Sequence, residues 1–321
     1  MKGFHVITIC FYSLFFASPV SAQSYPTKPV RIVVGFPAGA GSDIVTRLVT
    51  PGLSKALGQS FVVDNRAGAA GNIGAELVAR APADGYTLLT MTASLTIGPA
   101  LSRKLPFDVI KDFDPAVLLA SVPFVLVVHP ALPVTSVKAL AALAKARPGQ
   151  LTFASTGQGS SPHLTGEMLR MQAGVNLLHI PYKGTPQATT DLISGQVTMM
   201  FANTLSVLPS VRSQRLRALA VTSAKRAAAA PEVPTMIEAG YEGFESGTWF
   251  ALAAPGGTPR DIIQRLNIEA SRVIQQPDVR EKLAAQGAEP MAGNVDQTTA
   301  YVRNEIAKWA KVVKASGIKA E

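Results

Sequence analysis

Cysteine is almost absent from this sequence. The 321 residues include one, Cys10, which lies in an apolar N-terminal segment. Once that segment is removed, no disulfide can form and no thiol can act as a nucleophile. An exported domain of this kind must be stabilised by its own hydrophobic core.

Long apolar runs are also missing. Residues 6–17 form an apolar run of about a dozen residues, too short for the roughly 20 that a membrane-spanning helix needs. Lys2 precedes this run and the small residues 20–22 follow it, a pattern typical of a secretory signal peptide over residues 1–22. The later apolar run, 116–128, is too short for a membrane span and is interrupted by Pro123. A buried strand is the better interpretation. We therefore predict an exported protein.

Motifs for catalysis, nucleotide binding and metal binding are not found in the sequence. There is no Gly-x-Ser-x-Gly elbow, no P-loop and no dinucleotide fingerprint. The histidines after residue 22 are His129, His163 and His179, and they lack the tight spacing of a metal site. Ser160 lies near His163 without an identifiable third partner, so a periplasmic hydrolase is the weaker alternative. We predict no catalytic residue, no metal and no cofactor.

Charged residues are few, at 16% of the chain, while 47% of the residues are hydrophobic. This composition excludes a disordered protein. The net charge is +9, but the lysines and arginines are dispersed and no basic stripe with interleaved aromatic residues occurs. Nucleic acid is therefore not expected as a partner, whereas an anionic small ligand is compatible with a basic surface.

Short apolar strands alternate with amphipathic helices, which predicts an α/β fold. In a first series, strands 30–35, 61–64 and 86–91 each end in a small, polar or glycine-rich loop, at the edge of the sheet where ligands bind. A second series of four strands repeats this order of strand, loop and helix over residues 151–221. Residues 124–129 and 248–253 are predicted to cross between the two series.

The two crossings predict two lobes, the first of them discontinuous. We expect domain 1 to comprise residues 23–124 and 247–321, and domain 2 to comprise residues 125–246. Helices 260–275, 278–286 and 295–316 complete the first lobe. Such a hinge arrangement can close over a ligand.

Two loops carry the strongest binding signal. The loop 35–43, GFPAGAGSD, precedes a helix, so its glycines allow close approach of a ligand to backbone N–H groups at a helix N-terminus, an arrangement that favours a carboxylate. Asp43 is the exception, because its charge would repel an anion, and it could serve as a first-turn residue instead. The loop 155–163 offers hydroxyls and backbone donors before a second helix. Facing each other, the two loops would clamp a small acid.

Three further side chains could contact the ligand. Trp249 and Tyr182 could pack against its carbon skeleton, although such residues more often belong to the core or the rim. Lys183 could neutralise a second carboxylate or could simply be a solvated surface lysine.

Taken in order, several motifs resemble those of the Bug-type receptors, the periplasmic solute-binding proteins of tripartite tricarboxylate transporters. The resemblance covers essentially the whole chain after residue 22. The matching segments are 25–29 (YPTKP), 35–43 (GFPAGAGSD), 65–74 (NRAGAAGNIG), 84–87 (DGYT), 155–164 (STGQGSSPHL), 179–184 (HIPYKG), 231–235 (PEVPT) and 255–259 (PGGTP).

This resemblance implies a two-lobed periplasmic binding protein of the type II, Venus-flytrap class, without catalytic activity. It implies a small carboxylate ligand, membrane transporter subunits as partners, and a monomer. The residues that it implies for ligand binding are Phe36, Ala38, Gly39, Ala40, Gly41, Asp43, Thr92, Ser94, Ser155, Thr156, Gly159, Ser160, His163, Lys183 and Asn203.

The sequence departs from the family pattern at two positions. Thr198 and Ala202 stand where the family usually has aspartate. If the second aspartate lines the cleft, its loss removes a partner for a ligand ammonium. We therefore expect an acid without an amino group: a di- or tricarboxylate, or an aromatic acid. A sensory module that signals through a membrane kinase would need the same clamp and remains the alternative to a transport receptor.

Overall fold

The computed structural model describes residues 25–101 and 105–316. The predicted signal peptide, residues 1–22, lies outside the described residues. Within those residues, none of the helices combines the length and the apolar character that a bilayer-spanning segment requires.

Strands and helices alternate along most of the described chain. The strands are β1 (Val30–Val34), β2 (Phe61–Asn65), β3 (Thr87–Thr92), β4 (Phe113–Val128), β5 (Thr152–Ser155), β6 (Leu178–Pro181), β7 (Met199–Asn203), β8 (Arg217–Val221), β9 (Gly247–Pro255) and β10 (Glu289–Pro290). The α-helices are α1 (Gly41–Leu57), α2 (Asn72–Ala79), α3 (Ala93–Ile97), α4 (Val137–Ala146), α5 (Ser161–Ala173), α6 (Thr185–Ile193), α7 (Thr204–Arg212), α8 (Arg260–Ile274), α9 (Pro277–Ala284) and α10 (Val295–Ser316).

The strands pair in the order β2-β1-β3-β9-β4-β7-β5-β6, and β8 and β10 also pair with β4. β1 runs parallel to β2 and β3, and β5 runs parallel to β6 and β7. β4 and β9 run antiparallel to their partners. We call the part that contains β1, β2, β3 and β9 the first lobe and the part that contains β5 to β8 the second lobe. β4 belongs to both.

β4 corrects the sequence interpretation. The crossing strand was predicted over 124–129 only, whereas β4 is a single strand of 16 residues that starts at Phe113. The interpretation of the apolar run 116–128 as a buried strand is confirmed. Pro115 is tolerated because the register to β9 shifts directly after it, and such an irregularity accommodates a residue that cannot donate a ladder hydrogen bond. Pro123 is the last residue of β4 that pairs with β9. The pairing partner then changes along β4, and Phe124 pairs with β7.

Both faces of the sheet are covered in each lobe. In the first lobe, Ile32 and Leu88 pack in a core with α1 and α8, while Val33 and Leu89 pack on the opposite face with α2 and α10. The second lobe repeats this alternation in its own two cores. Successive side chains of a strand point to opposite faces, so these continuous apolar runs require helices on both sides.

The same strand–helix order brings helix starts to one place. α1, α5, α6 and α7 begin shortly after β1, β5, β6 and β7, at the carboxyl ends of those strands. Those ends lie where the two lobes meet, so helix N-termini from both lobes surround the cleft between them.

Candidate functional site

A cavity lies between the lobes, with an empty volume of about 330 Å³ that includes its mouth. Its wall is formed by Phe36, Ala40, Gly41, Ser42, Thr92, Ser94, Phe124, Thr156, Ser161, Pro162, Thr185, Asn203, Thr248 and Phe250. None of these side chains is charged. Within the described part of the chain, no group of three or more His, Cys, Asp or Glu residues could hold a metal ion.

Helix N-termini form much of this wall. Gly41 and Ser42 open α1, Ser161 and Pro162 open α5, and Thr185 opens α6. The first N–H groups of a helix have no intrahelical partner. In α1 and α6 no side chain caps them either. Together with the partial positive charge of each helix N-terminus, these groups favour an anion in the cavity.

Two hydroxyl groups on the wall lack a hydrogen-bond partner in the described structure, Ser42 Oγ and Thr92 Oγ1. Both residues are buried, at 3% and 4% relative exposure. Nearly all buried polar groups in folded proteins are hydrogen-bonded, so each of these hydroxyls can take a polar partner from the cavity. A ligand oxygen would supply it.

The remainder of the wall is apolar and comes largely from the strands shared between the lobes. Phe124 of β4 and Phe250 of β9 lie on the wall beside Phe36 of the first loop. Thr248 is two residues before Phe250 and shares its face of the strand, because side chains alternate along a strand. These rings suit the carbon skeleton of a ligand whose polar ends meet the helix N-termini.

Neither of the two aromatic side chains considered from the sequence lies on this wall. Trp249 points to the opposite face of β9, where its indole N–H donates to the Glu305 carboxylate at 3.0 Å. The Tyr182 hydroxyl donates to Asp191 at 2.7 Å. Burial and the neighbouring Asp191 raise the pKa of Tyr182 to about 12.

The structure places the fifteen predicted ligand-binding residues in two groups. On the cavity wall lie Phe36, Ala40, Gly41, Thr92, Ser94, Thr156 and Asn203. Away from it lie Ala38, Gly39, Asp43, Ser155, Gly159, Ser160, His163 and Lys183. Ala38, Gly39 and Lys183 are exposed. A direct ligand contact by any of the fifteen stays a prediction.

Asp43 is engaged in shaping the first loop. One of its oxygens accepts from the Gly39 N–H at 2.9 Å, and the other accepts from Arg47 Nε at 2.9 Å and Asn65 Nδ2 at 3.0 Å. These contacts fit the alternative that the sequence left open, a residue of the first helical turn. They also direct its charge away from the cavity and neutralise it.

The second loop is held from behind by two histidine rings. Ser155 Oγ lies 2.7 Å from His179 Nε2 and accepts from the Gly157 N–H at 3.1 Å. His163 Nδ1 accepts from the Gly159 N–H at 3.1 Å. The two imidazoles are stacked, with 4.0 Å between ring centroids, and burial lowers the pKa of His179 to about 4. These residues support the loop that carries Thr156 to the cavity.

Sequence reasoning did not single out half of the wall. Ser42, Ser161 and Pro162 lie inside the two predicted binding loops, and Thr185 directly follows a quoted motif, so a search for helix starts could have found them. Phe124, Thr248 and Phe250 are different, because they lie on the shared strands. The only sequence feature that could have placed these three residues on the wall is the alternation of side chains along a crossing strand.

Position 202 does not line the cleft, contrary to the expectation from the sequence. Ala202 is buried in an apolar core of the second lobe and does not lie on the cavity wall. Thr198 is likewise remote, because it exchanges hydrogen bonds with Thr152. The premise that an aspartate at 202 would line the cleft therefore fails for this structure. The absence of charged side chains from the wall is a separate observation, and it also bears on whether the ligand carries an amino group.

A two-lobed α/β fold with helix N-termini around an interlobe cleft defines the solute-binding class of proteins. The chain belongs to the tripartite tricarboxylate transporter family of receptors, since residues 45–318 match the TctC family profile. It is 43% identical over 305 residues to the protein BugT of Bordetella pertussis, with 94% of each chain covered. These matches confirm the predicted family.

Solved structures agree with this assignment. A protein of R. palustris solved with adipate matches with a TM-score of 0.89 and 39% identity, covering 92% of this chain and 99% of the other. MatC of Rhodopseudomonas palustris, with bound malate, matches with a TM-score of 0.86 and 33% identity, covering 90% of this chain and 100% of the other. The predicted fold class, a two-lobed periplasmic binding protein, is confirmed.

Proposed function

We propose that this protein is a periplasmic receptor that captures a small carboxylate without an amino group and delivers it to the membrane subunits of a tripartite tricarboxylate transporter. The observation that carries the proposal is the pair of buried, unpartnered hydroxyls of Ser42 and Thr92 on an uncharged wall. The N-termini of α1, α5 and α6 add N–H donors from both lobes. Together these groups can receive a carboxylate without a basic side chain.

The uncharged wall also argues against an amine on the ligand. No carboxylate of the wall faces the cavity, so a buried ammonium would lose its hydration without gaining an ionic partner. The positive ends of the surrounding helices would repel it further. Adipate and malate, present in the two structures with similar folds, are acids of this amine-free class.

The composition of the cavity wall also suits a receptor that binds its ligand without chemical conversion. A general acid or base must be a titratable group within hydrogen-bond reach of the substrate, and the cavity wall carries none of His, Cys, Asp, Glu, Lys or Tyr. The predicted signal peptide over residues 1–22 and the family membership support export to the periplasm. The chain then acts there as a monomeric receptor.

A thermal-shift screen of the chain from residue 23 onward tests the proposal. Adipate, malate, citrate and benzoate span the expected ligand class, and lysine amide and glucose are the controls. At about 100 times its dissociation constant, a true ligand should raise the free energy of unfolding by about 2.7 kcal/mol. Stabilisation by at least one acid and by neither control supports the proposal. Stabilisation by a control alone would contradict it.

A further inference from the structure

The mouth of the cleft contains a contact in which a side chain of one lobe packs against bare backbone of the other. A Cβ placed on Gly184, in the second lobe, would lie 2.8 Å from Cγ of Pro37 and closer still to Cδ of the same ring. No side chain therefore fits at position 184 while the lobes are in this arrangement. The backbone there is extended, with φ 175°, so glycine is not required by its own conformation.

The neighbouring contacts across the mouth are looser, and a Cβ would fit there. On the first-lobe side, a Cβ on Gly39 would lie 3.7 Å from Pro186 of the second lobe. The Gly39 carbonyl also accepts a long hydrogen bond of 3.5 Å from Ser206 Oγ. The Pro37–Gly39 segment thus lies directly against residues 184–186.

Two further glycines meet the opposite lobe deeper in the cleft. A Cβ on Gly157 would lie 3.2 Å from the Ala70 nitrogen, and one on Gly41 would lie 2.7 Å from Asn203 Oδ1. At each of these contacts glycine lets the lobes approach by the width of one methyl group. Among these positions, Gly184 is the most informative, since Gly39 and Gly157 have positive φ values of 80° and 120° and substitution there would also strain the backbone.

We propose that Gly184 is a positioning residue for ligand capture, because its missing side chain lets Pro37 dock and so sets how far the lobes close. The proposal rests on the proposed function in one respect, namely that closure retains the ligand. A methyl group at 184 would hold the mouth apart without changing the identity of any side chain on the cavity wall. The closed population should fall about tenfold, as expected for an overpacked contact.

Crosslinking across the mouth measures closure without requiring a ligand. Because the chain after residue 22 has no cysteine, Ala38→Cys and Gln187→Cys would introduce the only two thiols, on exposed positions of opposite lobes. A short bifunctional maleimide would join them at a rate that follows the closed population. Gly184→Ala should lower this rate about tenfold. Adding Pro37→Ala, which removes the two clashing ring atoms, should restore it to within about twofold.

Controls separate closure from folding and from ligand choice. The pair Arg226→Cys and Glu238→Cys replaces an exposed ion pair within the second lobe, and its crosslinking rate should not respond to Gly184→Ala. If Gly184→Ala lowers the melting temperature, Pro37→Phe provides a second obstruction from the first lobe and should lower the cross-mouth rate in the same way.

Equal cross-mouth rates in the parent and the Gly184→Ala variant would overturn the proposal, as would a loss that Pro37→Ala fails to repair. Adipate and malate should speed crosslinking in the parent. If they do not, while the dependence on Gly184 and Pro37 holds, the ligand assignment fails and the closure contact stands.

Discussion

Ser42 and Thr92 each keep a buried hydroxyl without a partner in the described structure. Leaving such a group unpaired costs about 1–3 kcal/mol. A ligand oxygen in the cavity would pair with both and recover that free energy on binding. If these hydroxyls bind the ligand, replacing one of them should change affinity more than stability.

Replacing Thr92 with valine tests this reading. Thr92→Val keeps the side-chain shape, so the free energy of unfolding without ligand should stay unchanged or rise by up to about 1 kcal/mol. Affinity for the best carboxylate should fall about 5- to 30-fold, equivalent to about 1–2 kcal/mol. Urea denaturation and isothermal titration calorimetry measure the two quantities.

Ser271 offers a matched control for this experiment. Its hydroxyl is also buried and unpartnered within the described residues, but it lies on α8 and not on the cavity wall. Ser271→Ala should therefore affect stability alone. Unchanged affinity in Thr92→Val, or an equal loss of affinity in Ser271→Ala, would show that the orphan hydroxyl at 92 does not bind the ligand.

At the residue scale, the sequence predicted loops better than side chains. Thr92 was expected at the site because it ends a strand of the predicted ligand edge, and it lies on the wall. Trp249 was considered as a ligand contact and Phe250 was not, but in the structure Phe250 lies on the cavity wall and Trp249 does not. One position along a strand reverses the direction of a side chain, and strand boundaries read from sequence are not accurate to one residue.

Among the elements, the loop that precedes α5 is supported by two histidine rings. His163 Nδ1 can accept from the Gly159 N–H only while that nitrogen is unprotonated. Its Nε2 lies 3.9 Å from Glu167, which also pairs with Arg170. The His179 ring packs against both Phe153 and His163, with 4.8 and 4.0 Å between ring centroids. A proton on His179 would be poorly solvated there, which explains why burial lowers its pKa to about 4.

This arrangement predicts acid sensitivity with a defined sign. His179 has a pKa of about 4 in the folded protein and 6.5 as its ordinary value, so the unfolded chain takes up the proton first. The free energy of unfolding should be highest above pH 6.5, fall as the pH drops from 6.5 toward 4, and then level off for this group. Because the ring is partly exposed, we expect a loss of about 1–2 kcal/mol.

Denaturant titrations at several pH values would measure this loss. His179→Gln should remove most of the slope between pH 6.5 and 4, whereas His129→Gln, which lies outside the loop, should retain it. A parent protein whose stability is flat across this window would refute the role assigned to His179.

Helix starts were the elements most predictable from the sequence, whereas the start of β4 and its pairing were not predicted. The glycine and serine content of 35–43 and 155–163 marks the turns before α1 and α5, because few other residues allow such tight approaches to a helix N-terminus. Pro115 and Pro123 in β4 suggested an irregular segment. Tertiary pairing with β9 overrides that local signal by shifting register, which no single-strand pattern encodes.

For the whole molecule, β4 and β9 join the lobes and also contribute Phe124 and Phe250 to the cavity. The change of pairing partner between Pro123 and Phe124 supports the proposal that domain 1 comprises residues 23–124 and 247–321 and domain 2 comprises residues 125–246. A ligand that contacts these strands would touch the hinge itself. Closure and binding would then be coupled through the same residues.

The overall architecture followed from the sequence because two series of strand, loop and helix, joined by crossings, leave few alternatives. Ligand identity did not follow, since backbone donors accept any carboxylate. The departure at Ala202 seemed informative in sequence, yet the side chain lies in the core. Only the assembled wall shows that no charged side chain lines the cavity.

Calorimetric titration with acid pairs that differ by one amino group tests the central claim most directly. Succinate and aspartate form one pair, glutarate and glutamate a second, and adipate and 2-aminoadipate a third. The uncharged wall predicts that, in every pair with measurable binding, the amine-free acid binds at least about tenfold more tightly, a difference of 1.4 kcal/mol. Equal or tighter binding of the amino acid would contradict the proposed ligand class.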